Sequence, residues 1–390
     1  MRVVFFCRIM PDLCGAFLHD IDLAIELQTR GHEVAFLTIQ VPKEGFNGGV
    51  YRGFRFLHYT AASTLLETSN IWITPHSPIL PDVRKINSRN YNRPIVATCH
   101  FDGNYNAVRV DNGSTAPEML FFVNDVMEAA YRKNIVPWPR QIRKTDIVRP
   151  ILHRNKIYIG DDFTGGDCIT LINANQNKGQ AVFLDIARKM PDTKFLAVIP
   201  YYGNFGIAPS TANVEWIPFD NDIRNVLRRT RILLMPSYYE SFGRVAVEAM
   251  VNGIPVLYSK PAANPPYPGG STEGMESWIK PAGIACDRDN TDEWVSAIRR
   301  LEDSEVYTET SRESKAHIDA MNLFTEAARI AGLVEQFSRE NPVVIRQATS
   351  SQKTQQNQPQ KSTGSVFAPP QVGGQSAGLG FSNGRLRIQR

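Results

Sequence analysis

Two carboxylates eight positions apart, Glu240 and Glu248, are the residues of this 390-residue chain whose spacing speaks most directly of chemistry. They lie in Pro236-Ser-Tyr-Tyr-Glu240-Ser-Phe-Gly-Arg-Val-Ala-Val-Glu248-Ala-Met-Val-Asn-Gly-Ile-Pro-Val256. The apolar run 231–235 predicts a buried parallel strand, 236–242 a loop and 254–258 the next strand. Between them a helix is predicted to begin near Gly243 and to stop at Gly253, a residue suited to the left-handed position after a helix. Glu248 sits in that helix among Val245, Ala246, Val247, Ala249, Met250 and Val251. An acid in so apolar a helix is costly to bury without a partner. Spacing leaves two answers open: an ion pair with Arg244, one turn earlier, or a polar ligand over the helix N-terminus. Further candidates are Lys178, ahead of Gly179, and His76 and His100, each just past a predicted strand. Gly15 follows the first strand, either as a plain turn or as a point of backbone approach to a ligand.

The elements that must position these residues alternate in type. Residues 3–7 read as a strand, 17–30 as a helix ended by Gly31, and 33–39 as a second strand. A β-α-β opening favours a parallel sheet with helices on both faces. The first loop lacks Gly-x-Gly-x-x-Gly, which counts against a nicotinamide or flavin enzyme. Strands follow at 54–59, 71–74 and 94–98, then a helix over 116–133 with Glu118 and Asp125 on its solvated face. Residues 151–164 lose periodicity and lead to Gly165-Gly166, a domain junction. A second series begins there: strand 168–172, loop 173–179, helix 180–190, strands 194–199 and 214–217, and a short helix 223–229. The Pro- and Gly-rich stretch 259–274 reads as a long loop, 283–286 as a strand, and 291–301 and 304–339 as helical.

Composition sets bounds. The length suits two domains, and 42% hydrophobic with 21% charged residues is typical of a soluble globular protein. No apolar run approaches the ~20 residues of a membrane span, and the N-terminus has no signal-peptide pattern. Five widely spaced cysteines without a Cys-x-x-Cys pair suggest neither disulfides nor zinc, and a cytoplasmic location is the default. Six basic residues and no acid lie in 341–390, so the rest of the chain carries −2 against +4 overall. Polyanion attraction would therefore belong to that segment, whose Gln, Ser, Gly and Pro content predicts disorder.

Taken together, these motifs resemble the retaining GT-B glycosyltransferases, the family that includes sucrose synthases and mannosyltransferases. Glu240 through Val256 looks like the family's Glu-x7-Glu donor motif. Asn177-Lys178-Gly179 resembles its Lys-Gly element, Arg30-Gly31-His32-Glu33-Val34 the end of its first helix, and Thr98-Cys99-His100 its Thr-x-His. The resemblance implies an α/β fold of GT-B type, two Rossmann-like domains facing across a cleft, with a disordered C-terminal tail. It divides the chain into an acceptor domain (1–160), a donor domain (161–314), a helix crossing back to the first domain (315–340) and a basic tail (341–390).

The resemblance also implies metal-independent, retaining transfer of a hexose from a nucleotide-diphosphate sugar, of UDP-glucose or GDP-mannose type, with no cofactor and no metal. Glu240, Lys178 and His100 are its expected catalytic residues. Backbone N–H groups of Ser241, Phe242 and Gly243 would meet the phosphates with help from Arg244. Glu248 would meet the ribose, and the Gly15 loop the phosphates and acceptor. Many relatives have an arginine before Lys-Gly; residues 172–177 here have none, leaving more phosphate work to Lys178. The acceptor is not read from these motifs; a protein is preferred, and nucleic acid only through the tail. The alternatives are a catalytically weak nucleotide-binding or scaffold protein of GT-B type and a sugar-nucleotide epimerase.

Overall fold

The structure is a computed structural model that describes residues 1–8, 14–40, 49–75, 79–100, 116–200, 211–262 and 272–344. The first sheet is built from β1 (Arg2–Cys7), β2 (Glu33–Thr38), β3 (Val50–Tyr51), β4 (Phe54–His58), β5 (Ile71–Pro75), β6 (Ile95–Cys99), β7 (Met119–Phe122) and β8 (Lys144–Ile147). Its order is β3-β4-β2-β1-β5-β6-β7-β8, parallel except for the β3–β4 hairpin. The second sheet is built from β9 (Cys168–Leu171), β10 (Phe195–Val198), β11 (Val214–Ile217), β12 (Thr230–Met235), β13 (Val256–Ser259) and β14 (Ile284–Cys286). Its order is β11-β10-β9-β12-β13-β14, parallel throughout. The expected α/β fold with two largely parallel sheets is thus present.

Parallel sheets need cover on both faces, and the sequence provides it. Val3 and Phe5 of β1 join one apolar cluster, and Val4 and Phe6 join another on the opposite face. In each sheet the winding reverses once, between β1 and β5 and between β9 and β12. Open α/β sheets bind ligands outside the carboxyl ends of the strands at that reversal. The loops after β1, β9 and β12 carry Gly15, Lys178 and Glu240.

Two expectations, both within residues 116–133, need correction. Residues 116–133 are not one helix: 119–122 form β7, and the helix Asp125–Asn134 follows. Asn124 makes the break, its side-chain oxygen accepting the Met127 N–H at 2.7 Å as an N-cap. Glu118 is consequently not on a solvated face. It pairs with Arg84 at 2.9 Å and accepts the Ile95 N–H at 2.8 Å. Residues 304–339 are helical as expected, in two helices, Ser304–Met321 and Glu326–Glu340, parted at Asn322, which has φ +50°. A helix Glu273–Ile279 follows the Pro- and Gly-rich stretch. His76 and the tail beyond residue 344 lie outside the described residues. No described helix is long and apolar enough to cross a membrane.

The helix Glu326–Glu340 buries Ala327, Ile330, Ala331, Val334 and Phe337 in the core of the first sheet, beside Phe5, Phe17 and Ile21. Ile330 is fully buried. Ile330→Ala is expected to cost about 2–5 kcal/mol of stability, measured by chemical denaturation.

Candidate active site

Close approach of two loops of the second sheet builds the site. After β9 the chain makes a short turn, Gln176–Lys178, with the Asn175 side chain accepting the Lys178 N–H at 3.1 Å. Gly179 follows with φ +80°, and a Cβ there would overlap the backbone of Pro236, at the end of β12. Glycine is thus required twice over, by conformation and by space. Tyr238 N–H donates to the Asn177 carbonyl at 3.0 Å and fixes the two loops together. Their side chains then meet: Lys178 Nζ lies 2.5 Å from Glu240 Oε1, which also accepts from Ser237 Oγ at 2.9 Å. Glu240 is largely buried, whereas Lys178 remains partly open.

Gly243, with φ +76°, ends the loop and starts the helix Arg244–Met250. A side chain at Gly243 would run into Met275. The ion pair suggested by i,i+4 spacing is formed: Arg244 Nε lies 3.0 Å from Glu248 Oε1. Burial pushes the Glu248 carboxyl above its ordinary range, opposed by the Arg244 charge. Arg244 also reaches across to the first sheet's lobe, its Nη2 3.6 Å from Asp22 Oδ2. Asp22, on the helix Gly15–Thr29, has only 1% of its side chain exposed and also faces Arg52 at 3.4 Å, Lys156 at 3.2 Å and His153 at 3.4 Å. Burial alone would raise its pKa, but the His153 hydrogen bond and the Arg244 and Lys156 charges outweigh it and hold Asp22 at about 2. Sequence reasoning missed this residue, whose partners are scattered along the chain.

His100, at the end of β6, is pushed down to about 4 by burial, so it is neutral at pH 7. Its Nε2 has no hydrogen-bond partner among the described groups. His19, Asp20 and His100 offer ligand atoms within 4.8 Å of one another. These residues fit a cation poorly. His19 Nδ1 accepts the Ile151 N–H at 3.3 Å, so the neutral ring carries its proton on Nε2 and has no lone pair free.

A cavity of about 1240 Å³ joins these parts. Gly15, His100, Lys178, Glu240, Ser241, Phe242, Gly243, Arg244 and Glu248, all singled out from the sequence, line it, with Asp22, Arg52 and Lys156 beside them. It is a single chamber bounded by the carboxyl ends of strands from both sheets.

Burial pushes the Asp20 carboxyl from 3.8 up to about 8. The native state then keeps a proton that the unfolded chain has released. This stabilisation is complete below about pH 4 and is lost as pH rises towards 8. Urea titrations are expected to show stability falling over that window, with a shallower fall for Asp20→Asn, which cannot ionise.

Residues 208–317 match the family model described as glycosyl transferases group 1. A D-inositol 3-phosphate glycosyltransferase of Corynebacterium kroppenstedtii is 27% identical over 124 residues, which are 32% of this chain and 26% of that protein. One from Rhodococcus opacus is 33% identical over 107 residues, 27% of this chain and 21% of that protein. The match thus spans about a quarter of the length of these curated relatives. Sucrose-phosphate synthase from Thermosynechococcus elongatus superposes with a TM-score of 0.65 at 14% identity, covering 87% of this chain and all of that one. The described residues therefore have the GT-B fold, and within it residues 208–317 are similar to the glycosyl transferases group 1 family.

Proposed function

We propose that this protein is a retaining, metal-independent glycosyltransferase that moves a hexose from a nucleotide-diphosphate sugar to an acceptor. The observation that carries the proposal is the Lys178–Glu240 pair at 2.5 Å on the wall of a cavity that Ser241–Gly243 and Glu248 also line. The donor diphosphate lies against the loop 241–243, with Lys178 supplying positive charge as the anomeric C–O bond breaks and its electron pair passes to the phosphate oxygen. Glu240 receives hydroxyls of the transferred sugar, and Glu248 the ribose hydroxyls. Neutral His100 meets the sugar from the other lobe by hydrogen bonding rather than by charge. The acceptor oxygen bonds to the face that the diphosphate leaves, and its proton passes to the departing phosphate. Support for the class comes from the group 1 match over residues 208–317 and from relatives named as glycosyltransferases.

Incubation with a panel of nucleotide sugars and lysate from the native source, followed by product mass spectrometry, is expected to reveal one donor and one acceptor. Glu240→Ala and Lys178→Ala are each expected to lower turnover at least roughly tenfold while the protein stays folded by circular dichroism. Near-normal turnover in both would remove them from the chemistry.

A further inference from the structure

The loop 241–243 is fastened from outside its own lobe. Asn124 follows β7 of the first sheet, and its Nδ2 donates to the Ser241 carbonyl at 2.6 Å, a contact between residues 117 positions apart. Asn124 is 6% exposed, and its Oδ1 is already occupied by the Met127 N–H. The amide is thereby oriented, with its donor face turned to the loop. Gly274 borders this contact: a Cβ there would overlap both Asn124 Nδ2 and the Ser241 carbonyl. The next carbonyl, that of Phe242, accepts from Trp278 Nε1 at 2.7 Å. In a trans peptide the C=O and the following N–H point in opposite directions. With both carbonyls drawn outward, the Phe242 and Gly243 N–H groups are turned the other way, and both residues line the cavity. Arg244, next in the chain, lines it too, and its Nη1 is buried with no hydrogen-bond partner among the described groups.

We infer that Asn124 is a positioning residue for the donor diphosphate: from the opposite lobe it sets the Ser241–Phe242 peptide plane, while Trp278 sets the next peptide from within the loop's own lobe. This rests on the nucleotide-sugar reading above. A diphosphate then finds the Phe242 N–H aligned beside that of Gly243 only while the two lobes are in contact, which couples phosphate binding to closure of the cleft. On that reading the ribose meets Glu248 rather than these two peptides, so the coupling falls on the phosphates.

The test uses the full chain and two substitutions that keep a good helix cap, Asn124→Asp and Asn124→Ser. Each retains an acceptor for the Met127 N–H and removes the amide N–H that reaches the Ser241 carbonyl: ionised Asp has no donor, and the shorter Ser keeps only a hydroxyl and adds no charge. Binding of UDP, GDP and ADP, and of the parent nucleosides, is measured by titration calorimetry. For the diphosphate that wild type binds, both variants are expected to bind about tenfold more weakly, in line with loss of one buried hydrogen bond. Affinity for the matching nucleoside is expected to stay close to wild type, a selectivity that a merely structural role would not produce. Unchanged diphosphate affinity in both variants, or an equal loss for nucleoside and diphosphate, would overturn the inference. If wild type binds none of the diphosphates, the nucleotide-sugar reading falls, and this inference with it.

Discussion

The approach of Gly179 to Pro236 is the constraint on which the rest of the site depends. Two loops leaving neighbouring parallel strands would normally be kept apart by their side chains. Here one residue has none, and the backbone of the other occupies the space. Lys178 and Glu240 are brought to 2.5 Å as a result, although 62 positions separate them. The left-handed backbone at Gly179 and Gly243 turns each loop sharply into the helix that follows. Both helices pack on the second sheet, so loop geometry is inherited from the core.

Charge is arranged around the same loops with few spare partners. Glu248, Arg244 and Asp22 form an acid-base-acid series that starts in one lobe and ends in the other. Buried ion pairs give little net stability, because desolvation offsets most of the attraction. An apolar helix carrying Glu248 is therefore better explained by what the cavity must bind than by what the fold needs. Asp22 shares one carboxylate among four basic groups, leaving the cavity wall with basic character on that side.

How much of this could be read from the sequence differs from residue to residue. The loops at the carboxyl edge of each sheet were legible, because β-α-β alternation places the loop after each strand there. Arg244–Glu248 was legible from spacing along one helix. Asp22 was not, since its partners come from positions 52, 153, 156 and 244, and no local pattern joins them. Asn124 was hidden by an error of period: Met-Leu-Phe-Phe-Val is apolar throughout, and a short run of that kind fits a buried strand as well as a helix. The N-cap that marks the change, Asn124 itself, then looked like one more helical residue. Long-range pairing, rather than local preference, decided each of the missed features.

The helix Glu326–Glu340 closes the core of the first sheet with residues made after the whole second sheet. During synthesis, therefore, Phe5, Phe17 and Ile21 wait with one flank open until Phe337 has left the ribosome. The lobe begun first receives the last piece of its core last. The second lobe, by contrast, has all its strands once Cys286 has been added, so it can settle while its neighbour is still incomplete.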